Sequence, residues 1–165
     1  AVVIGKEGAS IPVHQAEDHI AGFTILNDWS ARDLQRREMK VGLGPSKGKD
    51  FASSLGPCLV PPAALTPWRT ADPTRGSRYD LLMVARVNGI EYSRGTTLSM
   101  NWTWAELIAH ASRNTRLLPG DLLGSGTVGT GCITEFAPGT RPWLKSGDRV
   151  ELEVQGLGVL RNRVA

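Results

Sequence analysis

The sequence lacks most of the short motifs by which catalysis is usually read. It has no phosphate-binding P-loop, no strand–glycine fingerprint–helix unit of the Rossmann type, no Gly-x-Ser-x-Gly nucleophile elbow and no His-Glu-x-x-His zinc motif. Cysteine is scarce: Cys58 and Cys132 lie far apart and follow no metal or redox spacing, which excludes a disulfide scaffold. Both are expected to be buried, behaving as small hydrophobes in a reducing compartment. No apolar run approaches the ~20 residues of a membrane span, and no signal-peptide pattern is present. A soluble cytoplasmic protein with no membrane contact is the expectation.

Charge of one sign is also missing. Nineteen Lys and Arg stand against sixteen Asp and Glu, for a net charge of +3. The densest basic cluster, Arg32, Arg36, Arg37 and Lys40, is interleaved with Asp33 and Glu38. It serves as well for a solvated helix face as for an anion-binding patch. A nucleic-acid-binding barrel would need exposed aromatics interleaved with its basic residues, and these are absent from the pattern.

What is abundant is glycine and proline, nineteen and ten in 165 residues, which favours short strands joined by tight turns. Alternating or β-favouring runs predict strands at Ala1–Ile4, Gly22–Leu26, Cys58–Val60, Leu81–Val87, Ile90–Tyr92, Leu122–Leu123, Val150–Val154 and Val159–Leu160. Asn88-Gly89 supplies the two positive φ angles of a type I′ hairpin turn. The clearest helix spans Trp104–Ser112: Thr103 and Glu106 form a capping-box pattern, and Trp104, Leu107, Ile108 and Ala111 recur at i, i+3, i+4, i+7. Shorter helices are expected over His14–Ile20 and over Ala31–Glu38, the second capped by Ser30. Residues 42–50 read as a loop and 66–78 as a surface excursion. The fold class is therefore β-rich α+β in one domain over residues 1–165.

The segment Asn27–Gln35 concentrates chemistry. Asp28 ends an apolar strand, where a hard-cation ligand is often placed. Arg32 and Gln35, three apart, share a helix face that Asp28 can approach. Together they offer an anionic ligand, a bidentate carboxylate binder and a neutral hydrogen-bonder. An Asp beside a surface ion pair would look the same by spacing alone.

Asn27-Asp28-Trp29-Ser30-Ala31-Arg32-Asp33-Leu34-Gln35 resembles the signature motif of the fumarylacetoacetate hydrolase family. The similarity continues in register through Gly48-Lys49-Asp50-Phe51, Leu55-Gly56-Pro57, Leu118–Thr127, Gly147–Val150 and Gly156–Asn162. The resemblance implies a mixed β-sandwich roll, a bound Mg²⁺ (or Ca²⁺ or Mn²⁺) and a homodimer acting on a small keto acid. It implies Asp28 as metal ligand, Lys49, Arg32 and Gln35 as catalytic residues, and Arg32, Gln35, Thr127 and Gly126 as substrate-binding residues. Phe51 and Trp29 are expected as wall or core, and Trp102, Trp104 and Trp143 as packing residues.

The expected reaction is metal-dependent hydrolysis of a C–C bond in a 1,3-diketo or acylpyruvate-type acid, as in aromatic amino acid catabolism. Decarboxylation, isomerisation or hydration of a 2-keto or 2-hydroxy-dienoate acid is the alternative, and a non-catalytic fragment or degenerate paralogue the second. The chain opens on an apolar strand without an initiator Met, so it is expected to be truncated. The remaining metal ligands, two family glutamates, and the base that activates water are expected upstream of residue 1.

Overall fold

The structure is a computed structural model that describes residues 1–42 and 44–165. Its strands, in chain order, are β1 (Val2–Ile4), β2 (Gly8–Ala9), β3 (Ile20–Asp28), β4 (Ser53–Val60), β5 (Arg69–Thr70), β6 (Arg78–Tyr79), β7 (Leu82–Val87), β8 (Ile90–Thr96), β9 (Arg116–Leu117), β10 (Leu122–Leu123), β11 (Arg149–Val154) and β12 (Gly158–Arg163). The α-helices are α1 (Val13–Ala16), α2 (Arg32–Glu38) and α3 (Trp104–Ala111). Two four-stranded sheets dominate, ordered β10-β1-β3-β4 and β12-β11-β7-β8, with two small two-stranded pairs beside them. Among the described residues every strand pairing is antiparallel. The chain is thus mostly β with a few short helices, as its composition predicts.

Alternation decides which face of each sheet is buried. Directly opposed residues of an antiparallel pair share a face, so Val2 and Phe23 point together into the core, and Val150, Leu152 and Leu160 do so from the second sheet. Phe23 is the joint between layers: its ring packs edge-on against Tyr79 (centroids 4.9 Å apart) and Trp104 (5.9 Å). Such edge-to-face contacts add specificity to the area they bury. Trp104, Ala105 and Ile108 turn the buried side of α3 onto this cluster.

The excursion over residues 66–78 is tied down rather than free. Arg69 reaches Glu17 at 3.0 Å, and Ser77 donates to the same carboxylate through both its backbone N–H and its hydroxyl. Arg75 grips both oxygens of Glu106, at 2.7 and 3.0 Å, while Glu106 also accepts from the Thr103 N–H at 2.7 Å. One carboxylate therefore completes the capping box of α3 and anchors the loop. Its bond from Arg75, with the Thr103 contacts, holds Glu106 below the ordinary carboxylate range despite partial burial.

Other expectations are corrected. The helix expected over His14–Ile20 is α1 followed by a 3₁₀ turn, Glu17–His19, because Ile20 already pairs with Ile4 in the sheet. Ser30 does not cap α2: Ala31 occupies that position, and the Ser30 hydroxyl is engaged elsewhere. Cys58 is exposed and Cys132 half-buried, the Cys132 thiol being held by the polar Arg32 guanidinium and Thr134 hydroxyl rather than packed as a small hydrophobe. Among the described residues no helix is long and apolar enough to cross a membrane.

Packing and capping should separate in a stability measurement. Ile108→Ala, at a fully buried site, is expected to cost about 3 kcal/mol and Thr103→Ala about 1 kcal/mol by urea unfolding. Because the folded Glu106 pKa is depressed, its contribution is complete above the unfolded carboxylate value and fades as pH falls through the folded one. Glu106→Gln should flatten that acid-side loss, and an unchanged acid limb would refute the anchoring role.

Candidate active site

β3 ends at Asp28, and the chain then turns through Trp29-Ser30-Ala31 into α2. Trp29 fixes the turn by donating its Nε1–H to the Ser54 hydroxyl on neighbouring β4, at 2.8 Å. The loop that follows α2 returns to the same place. Glu38, at the end of the helix, accepts the backbone N–H groups of Ser46, Lys47 and Gly48 at 3.1, 2.6 and 3.0 Å. The Gly48 carbonyl accepts from the Ala31 N–H at 2.9 Å. A Cβ on Gly48 would lie 2.9 Å from the Gln35 backbone nitrogen, so only glycine lets the loop lie this close to the helix.

The next residue is Lys49. Its ammonium lies 2.5 Å from Asp28 Oδ2 and donates to Ser30 Oγ at 2.7 Å. This explains why Ser30 is not a helix cap: its hydroxyl serves the lysine. Glu38, which sequence motifs did not single out, is what sets the loop. Its bonds from Gly48, then from Lys47 and Ser46, hold its carboxyl below the usual range.

Arg32, on the first turn of α2, is fixed on two sides. Nη1 donates to Gln35 Oε1 at 2.6 Å and Nη2 to Cys132 Sγ at 2.9 Å. Gln35 therefore sits behind Arg32, and it is not among the residues of the cleft wall. Cys132 in turn meets the Thr134 hydroxyl at 3.0 Å. Burial pushes the thiol up, but the bonds from Thr134 and the Arg32 guanidinium outweigh it and leave the thiol below its ordinary value.

Cys132 belongs to the loop 124–132, which brings Gly126 and Thr127 to the same opening. That loop lies against β8: Ser93 and Thr130 share a hydroxyl–hydroxyl bond of 3.0 Å, and a Cβ on Gly95 would collide with Val128. Thr127 is exposed, and among the described residues its hydroxyl has no hydrogen-bond partner. Gly126 holds φ at +79°, a backbone state that favours glycine.

Asp28, Arg32, Lys49, Gly126 and Thr127 all line one cleft of about 1140 Å³ between the ends of the two sheets. Met83, Ala85 and Leu152 add apolar lining to it. Trp102 and Trp143, expected as packing residues, instead line the cleft with more than half their surface exposed, whereas Trp104 is buried as expected. Phe51 is also exposed and lies off the cleft wall. Of the three histidines, none lines the cleft.

Asp28 carries hard carboxylate oxygens of the kind a divalent cation takes, and one of them is paired with Lys49. Among the described residues no group of three His, Cys, Asp or Glu side chains is placed to hold a metal, so these residues do not complete such a site.

Two measurements check this geometry. Removing the Arg32 guanidinium takes away a charge that favours the thiolate, so in a Cys58→Ser background Arg32→Ala should move the pH midpoint of Cys132 alkylation by iodoacetamide upward. An unmoved midpoint would refute the contact. Glu38→Ala should raise hydrogen exchange at the Ser46, Lys47 and Gly48 amides at neutral pH, and the native protein should approach that behaviour only as acid neutralises Glu38.

The whole chain, residues 1–165, matches the family model described as fumarylacetoacetate (FAA) hydrolase C-terminal. It is 35% identical over 164 residues to the oxaloacetate tautomerase YisK of Bacillus subtilis (strain 168), covering 99% of this chain and 50% of that protein. It is 35% identical over 162 residues to fumarylacetoacetase of Bos taurus, covering 82% of this chain and 38% of that one. Among solved structures, fumarylpyruvate hydrolase from Pseudomonas aeruginosa, in complex with Mn²⁺ and pyruvate, superposes with a TM-score of 0.78 at 30% identity. That match covers 99% of this chain and 62% of the solved one. The chain thus spans about half the length of the relatives it matches, and it belongs to the fumarylacetoacetate hydrolase family.

Proposed function

We propose that this chain forms the carbonyl-activating part of an enzyme that converts a 2-keto acid through an enolate. The first reading is hydrolysis of the C–C bond of an acylpyruvate-type acid, carried out by a homodimer with a divalent ion, Mg²⁺ foremost. The observation that carries it is the convergence of two fixed cations, Lys49 and Arg32, on one cleft that also has apolar lining residues.

Arg32 presents a planar fork suited to a substrate carboxylate, and Gln35 acts through it by fixing its rotamer. Lys49 stands where negative charge grows on the carbonyl oxygen as a bond beside it breaks or a proton leaves. A cation held there in advance favours the transition state over the ground state. Thr127 Oγ1 and the Gly126 backbone supply further polar contacts to the carboxylate. Asp28 orients Lys49 and offers one oxygen to a divalent ion; the other ligands are not among the described residues.

A second reading is tautomerisation or isomerisation, which needs the enolate but no attacking water. The same pair of cations, Lys49 and Arg32, supports it, because they would hold an enolate whether or not water attacks. The Bacillus subtilis relative carries the name oxaloacetate tautomerase, and the Pseudomonas aeruginosa one the name fumarylpyruvate hydrolase.

Turnover of an acylpyruvate and of oxaloacetate, each with and without Mg²⁺ or Mn²⁺, tests both readings. Pyruvate released from the acylpyruvate marks hydrolysis, whereas a keto–enol change in oxaloacetate without fragmentation marks tautomerisation. Lys49→Ala is expected to lower kcat by about 10²–10³-fold, the loss typical of removing one oxyanion-stabilising group. Arg32→Ala should act mainly on KM. No turnover of either acid with either ion would favour a non-catalytic domain.

A further inference from the structure

Away from the cleft, and sharing no lining residue with it, a groove of about 530 Å³ runs along the ends of β11 and β12, lined by Asn88, Gly147, Arg149, Arg161, Asn162 and Arg163. The register of the two strands sets Arg149 directly opposite Arg163 and Glu151 opposite Arg161. These four side chains project from the solvent side of the sheet, since Val150, Leu152 and Leu160 point into the core.

Like charges directly across an antiparallel pair are unfavourable. The acids nearby relieve this one only in part. Glu151 is bound by Arg161 at 2.8 Å and reaches Arg149 only at 3.8 Å. Asp148 has one oxygen taken by the Asn88 side-chain amide at 2.8 Å and the other by the Lys145 N–H at 2.8 Å. The neighbouring Arg86 is matched by its own Glu153 at 2.6 Å. Arg163 has no carboxylate within salt-bridge distance among the described residues. Glu151 is thus the one carboxylate paired with the groove's arginines, closely with Arg161 and loosely with Arg149, and Arg163 is left without one among the described residues.

We infer that this groove binds a phosphate-class dianion, inorganic phosphate or the phosphate group of a monoester, between Arg149 and Arg163. The charge fits: Arg163, without a carboxylate partner, and Arg149, which Glu151 reaches only at 3.8 Å, face a ligand carrying about two negative charges near neutral pH. Their forked donors match the paired oxygens of a phosphate, which Arg binds bidentately. A nucleic acid fits less well. The groove is short, it has no aromatic residue for a base to stack on, and the exposed Trp102 and Trp143 lie in the other cleft. The placement has a structural consequence, because β11 also supplies Val150, Leu152 and Val154 to the large cleft's wall. An anion joining β11 to β12 would therefore stiffen one side of the candidate active site.

The test follows the arginine Nε–H signals of the whole chain by ¹H–¹⁵N NMR at constant ionic strength. One arm titrates inorganic phosphate, a second sn-glycerol 3-phosphate, and a third chloride. The expected result is saturable shifts at Arg149 and Arg163 with both phosphates and none with chloride. Tighter binding of the monoester would place the natural ligand among phosphorylated metabolites, and equal or weaker binding would point to free phosphate. Arg163→Gln and Arg149→Gln should each weaken phosphate by about tenfold or more, the loss of one charge-assisted contact. Their unfolding midpoints, measured without phosphate, should stay at or above that of the native protein, because like-charge repulsion is removed. Shifts that grow linearly without saturating, that chloride reproduces, or that persist in the two variants would overturn the proposal.

Discussion

The cleft is organised by the contact between Lys49 and Asp28. The carboxylate is half exposed and the ammonium more than a quarter exposed, so the pair is screened by water. It is worth no more than about 1 kcal/mol to stability. Its importance is positional. An ammonium held by a carboxylate on one side and by Ser30 Oγ on another has little freedom left, and it stays at the opening of the cleft. That arrangement requires the loop after α2 to come back onto the helix, which Glu38 and the close approach of Gly48 enforce. The ion pair, the glutamate and the glycine therefore act together, and each would lose its purpose without the others.

Arg32 is held in a corresponding way by different chemistry. A guanidinium with only water around it samples many rotamers, and each contact to a substrate would have to overcome that entropy. Here Gln35 takes one terminal nitrogen and Cys132 the other, which leaves the edge toward the cleft to define direction. The cost falls on the protein during folding rather than on the substrate during binding, which is the physical content of preorganisation. Cys132 and Gly126 lie on the same loop, so the fixing of Arg32 and the placement of Thr127 are linked through the backbone.

How far the sequence reveals this depends on the range of the interaction. α3 is legible because its signals are local: Thr103 and Glu106 cap it, and its apolar residues repeat at helical spacing on the face that is buried. The hairpin at Asn88-Gly89 is legible for the same reason, and both residues take positive φ. Asp28 and Arg32 stand out because strand end and helix start are adjacent in sequence. Ser30 misleads, since a serine before a helix is the ordinary cap pattern and nothing local says that a lysine nineteen residues later takes its hydroxyl. Cys132 misleads more strongly: its partner Arg32 is a hundred residues away, and a lone cysteine in an apolar context reads as core. Trp102 and Trp143 look like packing residues until the topology leaves them facing an open cleft.

This division also bears on why one scaffold serves relatives named as hydrolase and as tautomerase. Under the proposed function both reactions would begin by placing negative charge on an oxygen next to a carboxylate, and the side chains proposed to answer that need, Lys49 and Arg32, are each held by two hydrogen-bonding or ionic contacts. What separates the two reactions is whether water attacks a carbonyl, and that depends on a base positioned to activate the water. On that reading specificity is set by groups added around a shared electrostatic centre, the general pattern of function grafted onto a shared fold. In this chain the centre is built from strand end, helix start and two loops, each locked by its own hydrogen bonds. If Lys49 and Arg32 act as proposed, the reaction could change by altering the surroundings while their positions are kept.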